Sequence, residues 1–359
     1  MNNRERIWAV LNGQKPDKIP FFCFFGCNTG LMPAGSFERK IRNNGMGLLL
    51  HTTPIIEEMP NIPITKRKSK VGEEIIYHTP LGDLSTEIYT NTNRINCPMW
   101  PLKNSYFIKD VKDYEPLIYM INDTIYNSNL EEYKLMDEDL GEDGILHSFG
   151  FCTPYGESQL LLGLEKWSYE QYDHPREFLR LLDALDKRTE TLINTLVGME
   201  YYLNITAGDI RDSISPALCM KYEFPFYEKA FKLLRTKNKK CGIHAHGSLL
   251  RQYKEIFKKM DLDFIEAYTP PPYSDLPLSE LREIVGDNVT ILINFPETIF
   301  YSGYEKTKNY TIELLGSDPS YNKMIGFTEM GMMGVNKNNR SIFESGFQAI
   351  ADAINIIKV

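Results

Sequence analysis

Clustered cysteine is missing from this chain. Its six cysteines, at positions 23, 27, 97, 152, 219 and 241, form no CxxC pair and no zinc-finger spacing. They read as free thiols of a reducing compartment rather than as a disulfide framework. A basic excess is also missing: the net charge is -8, which disfavours a phosphate-binding nucleic-acid surface. Two short basic runs, Lys66–Lys70 and Lys237–Lys240, read as solvated turns. No apolar run approaches the roughly 18 residues of a membrane span. The opening Met1–Trp8 is polar and helical in pattern, without the apolar core of a signal peptide. A cytoplasmic protein is expected, with no membrane and no nucleic-acid partner. No GxGxxG follows the first apolar run, so a dinucleotide-binding fingerprint is absent. Internal repeats and low-complexity tracts are absent as well.

What is present is an alternation of short apolar runs with longer amphipathic ones. Eight apolar runs occur in order: 19–25, 46–51, 145–149, 202–207, 241–246, 264–268, 289–295 and 324–328. Runs that are apolar throughout suit parallel strands buried on both faces. Helical spacing separates them, as in Phe178, Leu182, Leu185, Leu192 and Leu196, and in Phe343, Phe347, Ile350, Ile354 and Ile357. Ser215-Pro216 predicts a helix start, and Ser341-x-x-Glu344 a capping box for the last helix. Eight strands with helical crossovers predict an α/β (β/α)₈ TIM barrel as a single domain over residues 1–359. An open doubly wound sheet is the rival. Residues 53–143 break the rhythm between strands two and three. Glu73–Tyr77 and Leu84–Tyr89 predict a β-hairpin there, within an insertion expected over the barrel mouth.

Barrels of this kind place their chemistry at the C-terminal strand ends. The polar residues expected there are His51, His147, Asp209, His244, His246, Glu266, Asn294 and Glu329. His244-x-His246 is the strongest local feature, because alternate strand residues share a face. Imidazoles and carboxylates are common zinc ligands. Glu223, on the helix after strand four, is placed to bend back over the mouth. Taken singly, His51, His78, His147 and His174 read as hydrogen-bonded structural histidines. Gly331-Met332-Met333-Gly334 reads as a plain loop.

Five motifs occur in order: Arg4–Gly13 followed by Lys15–Pro20, Gly208-Asp209 with Ser215-Pro216, Ile243–Gly247, Ile265–Pro272, and Val285–Asp287 leading to Asn294-Phe295-Pro296. Together they resemble the uroporphyrinogen decarboxylase superfamily. The resemblance runs from about residue 4 to the end and is weakest in the insertion. It implies a (β/α)₈ barrel and one of two chemistries. The first is cofactor-free decarboxylation of uroporphyrinogen in tetrapyrrole biosynthesis. The second is zinc-dependent methyl transfer to or from a corrinoid (cobalamin-type) protein. The decarboxylases carry arginines after the first strand for a substrate with many carboxylates. The matching stretch here, Phe24–Leu31, has none.

Thiol-acting methyltransferases of the superfamily carry His-x-Cys at the fifth-strand motif and a second Cys near the eighth strand. Here His246 stands at the first Cys position, and Glu329 lies near the second. An O-demethylation pattern, Glu-x14-Glu-x20-His, matches Glu223 and His244, with Gly208 and Asp209 at its first position. Harder nitrogen and oxygen ligands leave zinc the better Lewis acid. The resemblance therefore implies a methyltransferase acting on a small donor, a methoxylated aromatic or another oxygen-linked methyl. Zinc is expected on His244 and Glu223, with His246 or Asp209. Glu266, Glu329 and Asp209 are the expected catalytic groups. Asn294, Tyr268 and His147 are the expected substrate contacts. A corrinoid protein is the expected partner, and a homodimer accords with the resemblance. A non-catalytic barrel that binds a corrinoid or its carrier is the remaining alternative.

Overall fold

The computed structural model describes residues 1–25, 36–89, 103–327 and 337–357. Eight parallel strands close into a barrel. They are β1 (Phe21–Phe25), β2 (Gly47–His51), β3 (Gly144–Phe151), β4 (Asn204–Ile210), β5 (Lys240–Ala245), β6 (Phe264–Tyr268), β7 (Thr290–Asn294) and β8 (Lys323–Phe327). Each pairs with its sequence neighbour, and β8 closes on β1. All eight expected apolar runs are strands, and the doubly wound rival is excluded. Strands β6, β7 and β8 are buried along their whole length, as a sheet covered on both faces requires.

The barrel floor is apolar. Phe22, Leu49, Ile145, Phe264, Leu292 and Met324 meet inside the barrel. Helix α1 (Asn3–Leu11) sets Ile7, Val10 and Leu11 against them. An Asn2/Glu5 capping box starts α1. Burial of such side chains is worth roughly 1.5–3 kcal/mol each. Alternation then carries the next inward position of each strand one layer up. Two residues beyond Leu49, Ile145, Phe264 and Leu292 stand His51, His147, Glu266 and Asn294. The site is thus a polar layer resting on an apolar plug.

Helices α2 (Pro154–Leu162) and α3 (Pro175–Gly198) follow β3, and α4 (Phe224–Arg235) follows β4. Phe178, Leu185, Leu192 and Leu196 of α3 are buried as the spacing predicts, and Leu182 packs at the edge. Ser215 caps the short helix that Pro216 begins, its side chain accepting from Leu218 N–H. The last helix, α5 (Arg340–Ile356), corrects an expectation. Its cap position is Asn339, so Ser341 lies within the first turn. Glu344 pairs instead with Lys40 and Arg340.

Between β2 and β3 the chain forms an antiparallel four-stranded sheet, Ile64–Lys68, Gly72–Thr79, Gly82–Tyr89 and Lys103–Ser105. Ile55–Glu58 and Ile125–Ser128 form a second, two-stranded sheet. The expected hairpin is present, tighter than its sequence suggested, with the Thr79 hydroxyl donating to the Gly82 carbonyl across the turn. The described part of this insert meets the helices that follow β3. Lys103 donates to the Leu160 carbonyl of α2, and Arg180 of α3 pairs with Glu115.

Candidate active site

Glu266 is the centre of the polar layer. Its side chain is fully buried. Its Oε2 accepts from the Thr206 hydroxyl and lies 2.9 Å from His147 Nε2. Its Oε1 lies 3.2 Å from His244 Nδ1 and 3.8 Å from His51 Nε2. Strand register explains the gathering: His51 pairs with His147 across β2–β3, and His244 with Glu266 across β5–β6. Three imidazoles and a hydroxyl surround this one carboxylate. Burial alone would raise its pKa, but the His147 and His244 interactions carry it well below the usual range.

The histidines divide by environment. Burial pushes His51 down to about 3, so it is a neutral imidazole at physiological pH. Burial also disfavours the charged form of His244, but its hydrogen bond to Glu266 outweighs this and leaves its pKa raised. His246 stacks edge-on to His244, with ring centroids 5.0 Å apart. Burial and the neighbouring His244 lower its pKa. The loop carrying His246 is tied to the loop after β4 by Asp212, which accepts from Ser248 N–H and Oγ–H and from Leu249 N–H.

Among the described residues, three metal-capable ligand atoms from different side chains lie within 4.8 Å of one another in one group, His51, His147 and Glu266. The ligand set expected from sequence is not what the side chains form. Glu223, His244, His246 and Asp209 surround the mouth, but no three of them meet this closely. His244 touches the group through Glu266. His51 and His147, which read singly as structural, are its members. His78 and His174 do have local partners, Thr65 and Asp83 for the first and Glu170 for the second.

Glu223 sits apart. It ends a π-helical turn, Cys219–Glu223, just before α4, a deformation that recurs at functional sites. Its Oε1 accepts from the Thr153 hydroxyl at 2.8 Å, and burial pushes its pKa up to about 7. Asp209 pairs with Arg211 at 3.5 Å. A bulge in β4 between Thr206 and Asp209 passes through Gly208 at φ +73, where a side chain would meet the Tyr227 hydroxyl at 2.8 Å. Bulges of this kind re-aim side chains beside active sites.

A second bulge corrects the reading of Tyr268. Two residues from Glu266, it would share that residue's face in a regular strand. The β6 register shifts between Ile265 and Tyr268, and Ala267 takes φ +58. Tyr268 is thereby turned into the outer core, and its hydroxyl donates to the Leu276 carbonyl. A non-glycine residue at positive φ is strained, and such strain collects at functional sites. Asn294 lies in the polar layer and donates to the Thr269 hydroxyl at 2.9 Å. Glu329, the Gly331–Gly334 stretch and the Gly26–Leu31 part of the first-strand motif lie outside the described residues. The described cysteines, 23, 152, 219 and 241, form no disulfide with one another.

No family model and no curated protein sequence matches the chain. Among solved structures, a B12-independent methionine synthase from Shewanella sp. W3-18-1 in complex with selenomethionine is similar. The two share 10% identity over 89% of this chain and 84% of that one, with a TM-score of 0.41. No helix of the described residues is long and apolar enough to cross a membrane.

Proposed function

We propose that this chain is a zinc-dependent methyltransferase. It takes a methyl group from the oxygen of a small donor, a methoxylated aromatic in the first instance, and passes it to the cobalt of a separate corrinoid protein. The observation that supports this reading is the group at the barrel mouth formed by buried Glu266, His51 and His147 with the partly exposed His244. Its donors fit zinc. Two imidazoles and a carboxylate with no thiol make a hard nitrogen–oxygen set. His51 is neutral, the form that ligates. The Nδ1 of His147 is buried with no hydrogen-bond partner among the described residues. Zinc held by His51, His147 and Glu266 would supply Lewis acidity to the donor oxygen.

The chain's own residues do the rest. Thr206 donates to Glu266 and fixes its carboxylate, an outer-shell arrangement that raises ligand precision. His244, engaged through Nδ1 by Glu266, serves as the proton donor for the leaving oxygen. Asn294 closes the layer on the β7 side as a donor contact. Glu223 and Asp209 line the rim. The proximity of these groups lowers the barrier by orienting donor and acceptor before reaction.

Metal analysis and a methyl-transfer screen test the reading together. Methoxylated aromatics, methylamines and methanol are offered with free cob(I)alamin. Zinc bound in a one-to-one ratio and methylation of cobalt by an oxygen-linked donor are expected. A metal-free protein that converts uroporphyrinogen would overturn the proposal in favour of decarboxylation. Bound zinc without any transfer would leave a binding barrel.

A further inference from the structure

Arg211 follows β4 directly, and its side chain is 12% exposed. Its guanidinium forms an ion pair with Asp209 at 3.5 Å, yet makes no hydrogen bond among the described residues. Its Nε is completely buried and unpartnered. A guanidinium carries five donors and keeps its charge, so burial without acceptors is costly. Arg188 shares a buried, unpartnered Nε but is held in a close ion pair with Glu157, and two further structural arginines are more fully satisfied. Arg282 donates to Asp318 and to the Gly286, Val289 and Asn322 carbonyls. Arg4 donates to Asp137 and to the Gly141 and Gly144 carbonyls. Arg211 is therefore not built as a strut.

Its surroundings belong to the mouth. A side chain on Gly156, in the first turn of α2, would stand 2.8 Å from Arg211 Nη2 and 3.3 Å from Glu223 Oε1. The glycine keeps that approach open. One turn along α2, Gln159 accepts from the Ser213 hydroxyl and holds its own Nε2 buried without an acceptor. Unsatisfied N–H donors thus come from both sides of the β4–α2 junction.

We infer that Arg211 is the anion-recognising residue of this site and that the methyl donor carries a carboxylate. A planar carboxylate matches the guanidinium fork in two parallel hydrogen bonds. Bound there, the donor is anchored at the β4 side of the mouth with its methoxy group toward the Glu266 cluster. The inference rests on the methyl-donor reading of the site and names the donor's class.

Calorimetric titration of the full-length zinc-loaded protein tests it with 3-methoxybenzoate and 3-methoxybenzyl alcohol. The acid is expected to bind about tenfold or more tightly than the alcohol, the scale of a charge-assisted pair. Arg211→Gln is expected to erase that preference and Arg211→Lys to retain part of it. Equal binding of acid and alcohol to the wild-type protein, or binding of neither, overturns the inference without recourse to a variant. An undiminished preference in a folded Arg211→Gln protein does so too. Inorganic phosphate that competes as well as the acid overturns the assignment to a donor carboxylate. Arg211-dependent acid binding with no methyl transfer to cob(I)alamin upholds the anion site and overturns the methyl-transfer reading alone.

Discussion

Replacing Glu266 by glutamine removes one charge from the centre of the site and almost no volume. The carboxylate faces Thr206, His147, His244 and His51 through two oxygens. The amide keeps one acceptor and turns an NH₂ toward the other side. At least one imidazole then faces a donor in place of an acceptor, at a fully buried side chain. Breaking a buried ionic contact costs about 3–5 kcal/mol. The retained acceptor places the metal-free Glu266→Gln protein near the lower end, about 3 kcal/mol less stable than the metal-free wild type. Zinc binding falls as well, because a charged ligand becomes a weak neutral one. The assay is chemical denaturation with and without chelator, combined with zinc analysis after gel filtration. Zinc that stabilises the wild type and not the variant is the expected pattern, by linkage of metal binding to folding. Equal denaturation midpoints and equal zinc content in the two proteins would refute the reasoning.

Four further outcomes follow from the geometry. His51→Ala is expected to lose bound zinc, whereas His246→Ala retains it; metal analysis of the two variants reads the difference directly. Gly208→Ala forces a side chain against the Tyr227 hydroxyl at φ +73. A loss of more than about 1 kcal/mol in denaturant titrations is expected, with methyl transfer reduced. Arg282→Ala takes the guanidinium from buried Asp318, which keeps only the Ser320 N–H and the nearby Lys323 charge, and a loss near the lower end of about 3–5 kcal/mol is expected in the same titration. Burial pushes Lys323 down from 10.5 to about 8. Between these values the unfolded chain binds more protons than the folded one, so this residue makes stability rise with pH. The stability difference between wild type and Lys323→Met is expected to grow from pH 8 toward 10; a difference flat in pH contradicts it.

The barrel was legible because each strand is buried on both faces and therefore reads as an unbroken apolar run. The site was legible only in outline. His244 and Glu266 stand at strand ends that motif and position both pick out. His51 and His147 are visible only when strands are compared by layer. Leu49-x-His51, Ile145-x-His147 and Phe264-x-Glu266 repeat one apolar-to-polar step, and each histidine read alone looks structural. Period-two alternation puts Tyr268 on the face of Glu266; the bulge turns it away, and the left-handed Ala267 that makes the bulge carries no sequence mark. The Glu223 and His244 spacing is real in the chain. The π-helical turn seats Glu223 against Thr153 instead of against the imidazoles. Arg211 carries no motif of its own: it stands just beyond β4, far in sequence from the first-strand stretch where the resemblance places arginines. The Ser341 capping box failed by two residues, with Asn339 taking the cap.

X-ray absorption at the zinc edge of the purified full-length protein tests the central claim most directly. The account predicts one zinc with nitrogen and oxygen neighbours only, two of them imidazoles, and loss of the imidazole signal in a His51→Ala/His147→Ala double variant. Sulfur in the coordination shell, or an unchanged spectrum in that variant, would contradict it.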